Sequence, residues 1–87
     1  MANRFLIQEY SLTNTGTKSS ADEIKNVNVE GYKTLGIIGY NESNSIEVYY
    51  YNMFIQGNGN ALVSWKTINN GSIVNHKVKI YVLYVKI

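Results

Sequence analysis

The chain contains no cysteine, which excludes disulfide scaffolds and thiolate metal sites. It contains no proline, which removes cis-prolyl turns and Pro-rich linkers. Charged residues make up only 16% of the 87 residues, while apolar ones reach 45%, so a disordered acidic or basic tail is not expected. No apolar run approaches the roughly 18 residues of a membrane-spanning helix. The opening Arg4-Phe5-Leu6-Ile7 meets Gln8 and Glu9 at once, so the apolar stretch of a signal peptide is missing. The length admits one domain, residues 1–87.

Chemistry is equally sparse. His76 is the single histidine, which leaves a multi-histidine metal centre impossible within one chain. General acid–base work needs two carboxyls held together in a cleft. Strand spacing brings no two of Glu9, Asp22, Glu23, Glu30, Glu42 and Glu47 together. A Gly-x-Ser-x-Gly nucleophile turn is absent. Gly57-Asn58-Gly59 precedes a strand rather than a helix, so it reads as a turn and not as a phosphate cradle. The expectation is a protein without cofactor, metal or catalytic residues, and not an enzyme.

What the chain has is tyrosine, asparagine and glycine: 8 Tyr and 7 Gly, with asparagines concentrated in short clusters. Tyr, Val and Ile favour strands, and Asn and Gly tolerate turns with positive φ. The pattern predicts strands over 4–12, 25–29, 35–40, 46–56, 61–68 and 73–87. Residues 13–20 read as a polar loop. Ser20 to Lys25, with Glu23 three residues after Ser20, reads as a turn or single helical turn. Asn41–Asn44 and Gly57–Asn60 read as turns, and Asn69-Asn70-Gly71-Ser72 reads as a hairpin turn. From residue 35 onward the expectation is a meander, and the fold class is an all-β antiparallel sandwich.

Alternation splits each strand into two faces. In the long strand, Glu47, Tyr49, Tyr51, Met53 and Ile55 share one face, and Ile46, Val48, Tyr50, Asn52 and Phe54 the other. In the last strand, His76, Val78, Ile80, Val82 and Tyr84 oppose Lys77, Lys79, Tyr81, Leu83, Val85 and Ile87. A small antiparallel sheet usually keeps one face wet, yet these strands are apolar on both. A chain this short hides only roughly 60–65% of its unfolded surface. The second face is therefore expected to be covered by another copy, through Tyr49, Tyr51, Met53, Ile55, Tyr81, Leu83, Val85 and Ile87. Burying four such side chains at about 1.5–3 kcal/mol each contributes roughly 6–12 kcal/mol before association entropy.

Two binding surfaces compete on composition. Tyr-rich strands with lysines suit single-stranded nucleic acid, but the net charge of +2 argues against that partner. Asparagines beside an aromatic face suit a sugar, with amides on hydroxyls and a ring on the apolar side of the pyranose. The candidate ligand residues are Asn41, Asn44, Asn58, Asn60, Trp65, Asn69 and Asn70.

The stretch Gly31-Tyr32-Lys33-Thr34-Leu35-Gly36-Ile37-Ile38-Gly39, then a variable loop, an aromatic-rich strand, an Asn-Asn-Gly turn and the ending Val78-Lys79-Ile80-Tyr81-Val82-Leu83-Tyr84-Val85-Lys86 carry a likeness. Together, over about residues 20–87, they resemble the C-terminal tip domain of tail-fibre or receptor-binding proteins from bacteriophages and prophages of Firmicutes. The resemblance implies a homotrimeric β-sandwich at a fibre end, in the virion tail, with loops that touch host surface polysaccharide or teichoic acid. That family usually carries a shaft upstream, so the chain is expected to be an excised tip or a short relative. The rival expectation is a structural virion protein that docks to another protein.

Overall fold

Strands form here where a neighbouring strand completes the ladder, and most of them carry an apolar alternation. The structure, a computed structural model, describes residues 4–42, 47–69 and 71–87. Among these, the strands are β1 (Phe5–Lys18), β2 (Ser20–Asn26), β3 (Tyr32–Glu42), β4 (Val48–Ile55), β5 (Asn60–Thr67) and β6 (Ile73–Lys86). They form two antiparallel three-stranded sheets: sheet A in the order β1-β6-β3 and sheet B in the order β2-β5-β4. β1 pairs with β6 and β2 with β5, so the first two and last two strands make one long ribbon bent over on itself. At the bend the Thr67 N–H donates to the Ser19 carbonyl at 2.8 Å, which carries the pairing around the corner.

Side chains from both sheets close a shared core in a sandwich-like arrangement. Leu12, Val78, Ile80, Val82 and Tyr84 come from sheet A, Ala61 and Val63 from sheet B, and Val27 from the β2–β3 connection. Val48, Trp65 and Ile73 form a second cluster. Tyr84 donates its hydroxyl to the Val27 carbonyl at 2.5 Å, and the Tyr10 hydroxyl lies 2.6 Å from that of Tyr84. The connection is thereby tied across the core to β1 and β6. The molecule is elongated, 49 × 23 × 19 Å.

Several expectations are corrected. Ser20–Lys25 is strand, not a helical turn: Ala21 and Glu23 face inward, and β5 supplies a full ladder partner from Ser20↔Lys66 to Asn26↔Asn60. A one-turn helix has no comparable gain, because helix nucleation is costly. β2 ends at Asn26, so Val27–Val29 lie in a connection rather than in the expected second strand. The polar residues 13–18 extend β1, because Ile73 to Lys77 of β6 lie opposite. The meander does not form. β4 and β5 make the one consecutive pairing among the described residues, while β5 and β6 lie in different sheets. The expected hairpin of β5 and β6 across Asn69 to Ser72 therefore does not form, and Asn70 lies outside the described residues. A hairpin signal specifies a local turn, but here β1 and β3 occupy both edges of β6.

Bulges break strict alternation. In β4 the register slips between Tyr50 and Asn52, which leaves Tyr51 extra. A bulge reverses parity beyond it. Met53 and Ile55 consequently pack on the chain's own core, whereas Tyr49 and Tyr51 stay exposed, which corrects their placement on one face. In β3 two bulges set Leu35 and Gly36 against Leu83, and Ile38 and Gly39 against Tyr81. Leu35 and Ile38 are left exposed.

The Gly57–Asn60 turn forms as expected. Gly59 has φ +88°, and a Cβ there would run into the Asn28 side chain, which itself donates to the Asn58 carbonyl at 3.4 Å. We expect Gly59→Ala to lower stability by about 1–3 kcal/mol, from backbone strain plus the lost loop contact. Urea unfolding followed by circular dichroism measures it, and an unchanged midpoint refutes it.

Candidate functional site

The interior holds an unusual polar chain. Glu23 of β2 and His76 of β6 face each other across the core, with Oε2 2.8 Å from Nδ1. The indole of Trp65 donates to the same Oε2 at 2.5 Å and stacks on the imidazole, ring centroids 4.2 Å apart. On the other side of the ring, His76 Nε2 lies 3.0 Å from the Tyr50 hydroxyl, which donates to Glu42 Oε2 at 2.8 Å. Trp65 is 0% exposed, so it offers no ring face to a sugar, contrary to its place among the ligand candidates. The indole N–H found a buried acceptor, and that removed the residue from the surface. Burial first, and then the hydrogen bond to Glu42, push the Tyr50 hydroxyl far above the usual tyrosine range. Burial and the bond to Tyr10 do the same for Tyr84.

The surface candidate is the outer face of sheet A. Its cross-strand rows follow from the register: Phe5–Val85–Lys33, Ile7–Leu83–Gly36, Glu9–Tyr81–Gly39, Ser11–Lys79–Asn41 and Thr13–Lys77. The inward row His76, Val78, Ile80, Val82 and Tyr84 is buried, so β6 divides its faces as the alternation predicts. The outward rows divide again along the strand. Phe5, Ile7, Leu35 and Ile38 are exposed, and Leu83, Val85 and Tyr81 are half-buried beside them. Toward the other end this face becomes polar. There Ser11, Thr13, Asn41, Glu42, Lys77 and Lys79, together with the apolar Leu12 and Val78, border a cleft of about 380 Å³. The outer face of sheet B also carries exposed apolar side chains, Ile24, Tyr49, Tyr51 and Phe54, and its row Ile24–Leu62–Phe54 adjoins the polar row Asp22–Ser64–Asn52.

The asparagine candidates do not converge. Asn58 and Asn60 lie at the end that carries Phe5 and Lys86, beside Asn28, Gln56, Tyr32 and Ile87. Asn58 Oδ1 is occupied as an acceptor for the Asn60 backbone N–H at 3.0 Å. Asn41 and Asn69 lie toward the opposite end, where β3 and β5 finish. Asn44 and Asn70, and Ile46 of the expected long strand, lie outside the described residues. The candidate interface is likewise divided: Tyr49 and Tyr51 lie on sheet B, Tyr81, Leu83 and Val85 on sheet A, and Ile87 is 82% exposed at the terminus. Sequence reasoning missed the cleft residues Ser11 and Thr13, which it placed in a strand end and a loop. The Lys77–Lys79 spacing marked that face, but only the β1 pairing shows what flanks it.

No protein-family model, curated protein or solved structure matches this chain.

The raised tyrosines set an alkaline limit. A hydroxyl held protonated in the fold above its ordinary value of 10.0 contributes fully below pH 10 and is lost as pH rises beyond it. We expect the urea midpoint, read from Trp65 fluorescence, to fall more steeply above pH 10. The double variant Tyr50→Phe/Tyr84→Phe should show a shallower fall, and an equal fall removes these hydroxyls as the cause.

Proposed function

We propose that this chain is a non-enzymatic fibre-tip module that assembles as a homotrimer and recognises a host cell-surface glycan from a virion tail. The observation that carries the reading is the division of the outer face of sheet A. Its apolar rows, from Phe5 to Tyr81, extend beyond a core that the chain has already closed for itself. Monomeric proteins rarely leave such contiguous apolar surface open to water. Covering Phe5, Ile7, Leu35 and Ile38 with a second copy contributes roughly 6–12 kcal/mol gross. That is enough to offset a moderate association entropy. Three copies, rather than two, follow the likeness to tail-fibre tips.

The polar half of the same face supplies the ligand surface. The row Ser11–Lys79–Asn41 combines a hydroxyl, an ammonium and an amide across three strands, with Thr13 and Lys77 adjacent. Hydroxyls and amides suit sugar hydroxyls, and lysines suit an anionic cell-wall polymer such as teichoic acid. In this arrangement the end with Phe5 and Lys86 faces the particle. The end with Asn41 and Asn69 faces the host.

Light scattering should give the mass of three chains, and Ile7→Lys/Leu83→Lys should give one chain with unchanged circular dichroism. A wild-type mass of one chain at about 50 μM, a concentration at which a micromolar interface is occupied, overturns the assembly. Purified chain should sediment with Firmicutes cell walls, and Lys79→Glu should weaken this by about tenfold, or roughly 1.4 kcal/mol, without altering the mass. Binding to a virion protein with no retention on cell walls favours the structural rival instead.

A further inference from the structure

The chain of side chains through the core contains three consecutive polar contacts. They are Glu23 Oε2 to His76 Nδ1 at 2.8 Å, His76 Nε2 to the Tyr50 hydroxyl at 3.0 Å, and that hydroxyl to Glu42 Oε2 at 2.8 Å. Each contact needs one hydrogen between its two heavy atoms. With both carboxylates ionised and the imidazole neutral, only two hydrogens are available: one on the ring and one on the tyrosine. The third contact demands a third. It sits either on the second ring nitrogen, which makes an imidazolium between two carboxylates, or on one of the carboxyls. The count is the same wherever it resides.

We propose that this cluster holds one proton more in the folded chain than the same four groups hold in the unfolded chain at neutral pH, so that folding takes up a proton and the two sheets loosen as the solution turns alkaline. The cluster spans the sandwich: Glu23 and Tyr50 belong to sheet B, His76 and Glu42 to sheet A. Among the described residues, the side chains whose rings pack on the imidazole, Trp65 and Tyr50, are neutral. β5 contributes the neutral Trp65 stacked on it, β1 places the neutral Asn14 opposite His76, and Tyr40 of β3 packs on Tyr50 with ring centroids 4.8 Å apart. Lys77, the next residue of β6, falls in the outward row. The inner terminus is closed, because Glu23 Oε1 is buried with no partner. The outer terminus is half-buried Glu42, which borders the open cleft of sheet A and gives the proton its route to water. This inference stands independently of what the chain binds.

Linkage fixes the sign. An unfolded histidine gives up its proton above about pH 6.5. A folded state that keeps one more proton is then disfavoured by up to about tenfold in the folding equilibrium for each further unit of pH. His76 is the only histidine and there is no cysteine, so few other groups titrate in this window. The test is urea unfolding of the full chain at pH 6.0, 7.0, 7.75 and 8.5, read from the emission of Trp65. The expected result is a constant equilibrium below about pH 6.5 and a progressive loss approaching tenfold per unit above it. Glu42→Gln brings its own N–H to the Tyr50 hydroxyl, which then donates to His76 Nε2, so the network is completed with one proton fewer. This variant should give a flat profile from pH 7.0 to 8.5. Glu42 is half-buried at the outer end of the contacts, where the isosteric amide is accommodated. A flat wild-type profile overturns the proposal, and so does a folded Glu42→Gln variant that keeps the wild-type slope.

Discussion

The structure depends on one buried carboxylate. Glu23 Oε2 accepts from the Trp65 indole and faces His76, so a single oxygen links the central strand of sheet B to the central strand of sheet A through an edge strand. Leaving a charge like this without partners inside a protein is very unfavourable. The two sheets are therefore held where indole and imidazole both reach it. Breaking such a buried pair typically costs about 3–5 kcal/mol, a large share of what a domain this size has to lose. Trp65 is withdrawn from the surface by the same contact, and His76 is turned so that its second nitrogen meets Tyr50.

That arrangement frees the outside of the sandwich for other work. The core is filled by the inward row of β6 and its partners, and the outward row, with Tyr81, Leu83 and Val85 half-buried, forms a separate surface. Its apolar rows near Phe5 and its polar rows near Lys77 are then two surfaces on one sheet. The polar cluster reaches the second of these through Glu42, so the interior chemistry and the cleft meet at one side chain.

The faces of β6 from His76 onward were legible because that stretch of a central strand keeps a period of two, and Lys77 and Lys79 label its outer side. The Gly57–Asn60 turn was legible because Gly59 needs positive φ and the Asn58 side chain closes the turn locally. The candidate site was less legible. β4 misled because one extra residue at Tyr51 reverses every later side chain, and a run of three tyrosines gives no hint of where the slip falls. β1 misled because Thr13 to Lys18 carry no apolar signal of their own. They are strand because β6 extends beside them, with Gly16 at φ +98° and its N–H bonded to Asn75 Oδ1 at 2.9 Å to absorb the bulge.

By itself, then, the amino-acid sequence determined the class of the fold, the absence of thiol and prolyl chemistry, and the inner and outer faces of its last strand. Those properties depend on composition and on neighbours two residues apart. Only the tertiary structure decided which strands pair, where the bulges fall, and that Trp65, Glu23, His76, Tyr50 and Glu42 form one connected chain. Those five residues are separated by as many as 53 positions between Glu23 and His76, and no local preference encodes a contact of that range. It arises because the ribbon folds over and the buried carboxylate has nowhere else to find its partners.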